Sequence, residues 1–272
     1  MNWFKLLHHD LRKGFLRKRY LTVPLFFAAS CLVCGLQMPG DISTPGFMDR
    51  MLFCFKGLPP LTGPQDFQLP VLWFLILAGC LFLNLDYLLD DLTQEGQQVM
   101  IRTVSRRGWY LSKCVWGLFS CGLFLMIGML TCFIITLICG GKLSMTNDVL
   151  VSQISLGVWT QRPLKATEAV LIGIVLPYLT LAGFQQLQMT LCLYLKPILS
   201  FLICICGLVS ALLFSFFWLP GNGAITVRSD LLMPGLHRPL PLLITGLCLW
   251  TVGVIAGMIR FSRMDLLRYE GE

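Results

Sequence analysis

The chain has 272 residues, 56% of them hydrophobic and 13% charged, with a formal net charge of +7 and a mean hydropathy of +0.74. Few water-soluble domains carry so little charge, and the positive balance reads as a topology signal rather than as a nucleic-acid footprint. Six stretches are apolar for about 20 residues, enough to cross roughly 30 Å of hydrocarbon as helix. They run approximately Tyr20 to Gln37, Pro70 to Leu89, Cys114 to Cys139, Ala169 to Leu195, Ile198 to Leu219 and Leu240 to Ile259.

Residues 2–19, NWFKLLHHDLRKGFLRKR, place Trp3, Leu7, Leu11 and Phe15 at intervals of four, with Lys5, Asp10, Arg12 and Lys13 elsewhere on the wheel. This predicts an amphipathic helix lying on the membrane surface. It lacks the apolar run of a cleaved signal, so the first span is expected to stay in the mature protein. His8 and His9 project about 100° apart on a helix and read as surface residues. Residues 38–69 read as a loop with one short surface helix near Phe47 to Phe55, and residues 140–168 as a second, water-exposed loop. Residues 220–239, bracketed by Pro and Gly around an apolar middle, suit a partly re-entrant segment, acceptable only where protein shelters the backbone. Fourteen of the 21 Lys and Arg fall in the N-terminal segment, residues 90–113, the turn at Lys196 and the C-terminal tail. The positive-inside bias therefore predicts that both termini face the cytoplasm.

Most of the 12 cysteines lie inside the apolar stretches, where a thiol acts as a small apolar group. Cys31 and Cys34 form a CxxC there, which reads as packing, and Cys54 reads as an outward loop residue. No metal, cofactor or catalytic site is expected: no GxSxG or HExxH occurs, and no histidine lies in any of the six stretches. The nearest string to a phosphate loop, CGGKLS at 139–144, lacks the earlier glycine and has Leu143 after the lysine. The fourth stretch carries Gln185, Gln186 and Gln188, and the second carries Asn84 and Asp86. Of these, Asn84, Asp86, Gln185 and Gln188 are candidates for a substrate path, with interhelical hydrogen bonding as the plainer role.

Residues 91–116, DLTQEGQQVMIRTVSRRGWYLSKCVW, are longer than a helix connection needs. Gln94 to Ile101 can form a short helix, acidic first and basic last, which suits the helix dipole and docking onto a partner protein. Trp109, Tyr110 and Lys113 read as anchors at head-group depth. The stretch EGQQVMIRTVSRRGWYLSKCVWG resembles the segment between the second and third transmembrane helices of ABC-2 type permeases, particularly small ones of Gram-positive bacteria. It departs from their commoner Pro-x-Ser-Arg form by Thr103 and Val104 before Ser105.

The resemblance implies an all-α integral membrane protein forming a single permease domain over residues 1–272. It would comprise an interfacial helix (1–19), a six-helix bundle (20–259), and a cytoplasmic tail (260–272), with a coupling helix between the second and third spans. Glu95, Gly96, Gln97 and Arg102 would face a cleft on an ATP-binding subunit. Ser105, Arg106 and Arg107 would hold that helix to the membrane domain, and Lys196 would mark a second contact. The implied complex pairs this chain with a second, identical or related permease in the plasma membrane of a Gram-positive bacterium. ATP and Mg would sit on the partner subunits, so this chain is not itself an enzyme. The expected cargo is hydrophobic or amphipathic: an antimicrobial peptide, a drug or a lipid. The alternatives are an ion-coupled secondary carrier and a non-transporting membrane partner of a signalling or ATPase complex.

Overall fold

A computed structural model describes residues 6–8, 10–12, 18–39, 44–61, 63, 65, 67–85, 87–88, 105–160 and 162–264. Among the described residues the regular structure is helical, apart from one bridge between Ser229 and His237. Four helices are long and apolar enough to cross a membrane: α1 (Lys18–Leu36), α4 (Arg106–Ile138), α6 (Ala166–Leu191) and α8 (Pro239–Arg263). The protein is therefore membrane-embedded. Two further apolar helices, α3 (Val71–Leu83) and α7 (Pro197–Leu213), have 13 and 17 residues. At 1.5 Å per residue they reach only about 20 and about 26 Å. Two short helices, α2 (Phe47–Cys54) and α5 (Val149–Leu156), complete the set. Residues 6–8 and 10–12 are helical as well.

Local chemistry sets several of these bounds. Pro197 and Pro239 stand in the first turns of α7 and α8, and Pro24 stands where α1 passes from its opening 3-10 turn into α-helix, positions where a missing N–H costs little. The second apolar stretch is interrupted at Asn84 and Leu85, where the chain turns before Tyr87 and Leu88 are helical again. The third begins earlier than its apolar core, since Ser105 caps α4 by accepting a hydrogen bond from Gly108 N at 3.2 Å. Within α6, residues Leu171–Val175 widen into a π turn, with Leu176 N bonding to Leu171 O. Pro177 follows; it cannot donate to the carbonyl four residues back, which favours the wider spacing.

The long helices show their apolar side chains outward, including Leu25 and Leu32 on α1, Leu130 and Ile134 on α4, and Val252 and Ile255 on α8. This is the belt that lipid requires. Among these helices α6 packs most extensively along α8. Glycines allow that approach: a Cβ at Gly253 would stand 2.9 Å from Gln186 Cγ, and one at Gly246 would stand 3.3 Å from Leu179 Cβ.

Residues 6–12, the start of α4 and the end of α8 meet at one end of the bundle, here called proximal. At the opposite, distal end, the expected surface elements are buried. Every residue of α2 is buried, and α5 covers it with Val151, Ser152, Ser155 and Leu156. Residues Gly221–Ser229 are buried too, as Thr226 N donates to Phe55 O (2.9 Å) and Trp73 Nε1 to Ala224 O (2.6 Å). Protein thus shelters their backbone.

Candidate functional site

The first turns of α4 form a polar knot at the proximal end. Lys113 Nζ lies 2.6 Å from Asp10 Oδ1, and Ser112 Oγ donates to Asp10 Oδ2 at 2.6 Å. Lys113 and Asp10 are 0% and 2% exposed, so the pair is removed from water. The ammonium also lies 4.9 Å from the Trp109 ring centroid and 5.3 Å from that of Tyr87, within cation–π range. Trp109 stacks on Phe261 of α8 at 5.0 Å, and Leu6 joins the same apolar cluster. These residues are not head-group anchors as expected, nor does Lys113 snorkel. The N-terminal segment and α8 cover them, and a carboxylate partner makes burial of the charge tolerable.

Below the knot, Gln186 Nε2 donates to the Tyr110 hydroxyl at 3.0 Å. Thr190 Oγ1 donates to Gly253 O (2.9 Å) or Gln186 O (3.0 Å), leaving Tyr110 to donate to Thr190 at 3.2 Å. Asn84 Nδ2 donates to Ser120 Oγ at 2.6 Å, and Tyr20 shares that hydroxyl at 2.6 Å. Gln188 Nε2 donates to Leu81 O at 3.3 Å. These groups tie α1, α3, α4, α6 and α8 together, the plainer of the two expected roles. Yet the side-chain oxygens of Gln185, Gln186 and Gln188 are buried without hydrogen-bond partners among the described residues. A buried acceptor left unpaired costs about 1–3 kcal/mol, so three in one helix segment form a place where a donor would be bound favourably.

Of the expected coupling residues, Ser105 caps α4, while Arg106, Arg107 and Lys196 are exposed. Arg106 Nη1 donates to Met264 O at 2.9 Å, tying the start of α4 to the end of α8. Lys196 stands at the N-cap of α7. Glu95, Gly96, Gln97, Arg102 and Asp86 lie outside the described residues, as does the helix expected over Gln94 to Ile101.

The distal end holds a cavity of about 700 Å³ lined by Gln37, Lys56, Leu61, Gln68, Trp73 and neighbouring prolines. Burial pulls the Lys56 ammonium below the usual lysine range, and Lys56 Nζ donates to Ser155 O at 2.7 Å. Nearby, Asp49 Oδ2 accepts from Gly46 N and Oδ1 from Asp148 N, each at 3.0 Å. Burial nevertheless raises its pKa to about 6.

Two arginines missed as site residues are fully buried. Arg228 uses its whole guanidinium: Nε donates to Leu58 O (2.8 Å), Nη2 to Leu212 O (2.7 Å), and Nη1 to Asn222 Oδ1 (2.8 Å) and Ala211 O. It thereby terminates α7, whose last carbonyls would otherwise be orphaned. Arg50 Nη1 donates to Cys31 O (2.6 Å), and Nε donates to Pro45 O (3.3 Å). Beside it, Cys31 meets Cys54 and Cys132 instead of pairing with Cys34; all three are free and buried. Neither the cysteines nor the arginines stood out in the sequence, because each contact joins separate elements.

The model of one protein family covers residues 50–267, from within α2 to beyond the end of α8. The chain belongs to the family of proteins of unknown function DUF2705. No curated protein and no solved structure matches it. The DUF2705 match begins inside α2, so both the distal cap and the α4–α8 knot fall within the family region, whereas the Asp10 partner of Lys113 lies before it.

Proposed function

We propose that this DUF2705 chain is the membrane-spanning permease subunit of an ATP-binding-cassette exporter. In this reading α3 and α7 also span the bilayer, giving six membrane helices, with the proximal end and both termini in the cytoplasm. The observation that carries it is the construction of α4. Residues 89–104 feed into a 33-residue helix, about 50 Å long, whose first turns are locked to the N-terminal segment by Asp10 and to α8 by Phe261 and Met264. A push delivered by an ATP-binding subunit at Glu95, Gly96, Gln97 and Arg102 would enter a rigid assembly rather than a slack loop. Such transmission requires an element with two discrete positions, which ATP binding would bias.

The paired chain would be a second permease, identical or related, and the unpaired oxygens of Gln185, Gln186 and Gln188 supply acceptors for cargo along an otherwise apolar route. A hydrophobic or amphipathic compound with a few donors suits that lining. The test is gentle detergent extraction of the tagged chain from its native membrane, with mass spectrometry of what accompanies it. An ATP-binding subunit is expected with wild type and is expected to be lost from the Glu95→Arg/Arg102→Glu variant. If no ATPase accompanies the folded wild-type chain, the reading falls.

A further inference from the structure

The distal end brings three thiols together from elements far apart in sequence: Cys31 from α1, Cys54 from the end of α2 and Cys132 from α4. Their sulfurs all lie within 4.8 Å of one another, and Cys31 and Cys132 are 3.3 Å apart. All three are 0% exposed. Sulfurs sharing one tetrahedral zinc at about 2.3 Å stand roughly 3.8 Å apart, so the cluster needs only small adjustments to close on an ion.

Charge points the same way. The Arg50 guanidinium, 1% exposed, lies against the Cys31 backbone and has no carboxylate partner among the described residues. Asp49, next to it in sequence, turns its carboxylate towards Gly46 N, Asp148 N and Ser152 instead. Among the described residues the Arg50 hydrogen bonds reach only the carbonyls of Cys31 and Pro45, which solvate the charge without neutralising it, so an anion beside it would be stabilised. The available anions are thiolates. If all three thiols lose their protons to solvent and take up one doubly charged cation, the ensemble of cation, thiolates and guanidinium has no net charge.

A fourth donor is at hand. The Ser30 hydroxyl is 0% exposed, lies next to the Cys54 thiol and makes no well-formed hydrogen bond among the described residues. A buried hydroxyl so poorly satisfied is unusual.

We infer that Cys31, Cys54 and Cys132 form a binding site for a thiophilic divalent cation of the zinc class, with Ser30 Oγ as the fourth donor and Arg50 as the balancing charge. The site ties α1, α2 and α4 together at the distal end, and it is independent of the exporter reading.

The experiment uses the full-length chain in detergent, reduced and freed of metal, titrated with Co²⁺ and then with Zn²⁺. The expected result is one Co²⁺ per chain, with the intense near-ultraviolet absorption of cobalt–thiolate bonds, displaced by one equivalent of Zn²⁺. Cys31→Ser, Cys54→Ser and Cys132→Ser should each weaken binding at least tenfold. Cys206→Ser and Cys248→Ser, at exposed positions, should leave it unchanged. Because the wild-type spectrum is decisive alone, misfolding of a variant cannot rescue the idea. Absence of cobalt–thiolate absorption in the reduced, monodisperse protein overturns it. So does uptake of Cu⁺ with no uptake of Co²⁺ or Zn²⁺, or an unchanged cobalt spectrum in all three cysteine variants.

Discussion

The two ends of the bundle bury a cation in different ways. At the proximal end, Lys113 is balanced by an opposite charge, the Asp10 carboxylate at 2.6 Å, supported by two aromatic faces. At the distal end, Arg228 has backbone carbonyls and one amide oxygen around it, donated to from all three guanidinium nitrogens. The difference follows from the side chains. An ammonium is a compact point charge best met by another charge, whereas a planar fork of five donors can be satisfied by carbonyl dipoles set around it. The proximal solution links two segments about a hundred residues apart through one carboxylate, which meets both Lys113 and Ser112. The distal one gathers the end of α7, the 58–59 loop and the 220–228 segment around one residue.

Arg228 is the sharpest place to break this contrast. Arg228→Leu should destabilise the protein by about 4 kcal/mol or more, since several buried carbonyls lose their donor together. Arg228→Lys should recover less than half of that, because one ammonium cannot reach acceptors spread around the fork. Thermal unfolding in detergent, followed by tryptophan fluorescence, measures both; full recovery by lysine would remove the argument from geometry.

Lys113→Met should cost about 3–5 kcal/mol by stranding Asp10, and adding Asp10→Leu should bring stability back to within about 1 kcal/mol of wild type. The same unfolding assay in a double-mutant cycle checks this, and strictly additive losses would show that the two charges do not interact.

Asp49 offers an intermediate case, a buried anion held by backbone N–H groups. Its folded pKa of about 6 exceeds the ordinary carboxylate value of 3.8, so the folded state holds the proton more tightly than the unfolded one. The contribution of Asp49 to stability is therefore greatest below pH 4 and falls as the pH rises through 6. The span is worth up to about 3 kcal/mol. Asp49→Asn should flatten that slope, read from unfolding midpoints between pH 4 and pH 7.5.

The smallest effect is expected at exposed Ser105, where Ser105→Ala removes the cap of α4 for about 1 kcal/mol. Hydrogen exchange at the first α4 amides should quicken, with the distal end unaffected.

What was legible in the sequence follows from where the signal resides. Apolar length is local, so each of the six stretches corresponds to a helix, and the Pro- and Gly-bounded 220–239 segment stands apart from them. The turn at Asn84 and Leu85 was not legible, because hydropathy continues past it while the backbone breaks the helix. Burial of charge was not legible, since Asp10 looks like a residue of a polar helix face until Lys113 is placed beside it. Likewise Arg50 and Arg228 resemble loop charges, and Cys54 an outward thiol, until α5 and the 220–229 segment close over them. The glutamines of α6 were visible as polar residues in an apolar run. Which of their atoms found partners depended on Tyr110 and Leu81, residues on other helices.

The π turn at Leu171–Val175 divides α6 into two halves that are out of step. One residue more than α-helical spacing allows is accommodated there, so the faces before and after it are offset by roughly 100°. Glu168 and Ala169 are thus aimed independently of Gln185 to Thr190. Removing a single residue within the turn should let the helix run continuously and rotate one half against the other. The distal cap or the glutamine-bearing face could then keep its neighbours, but not both.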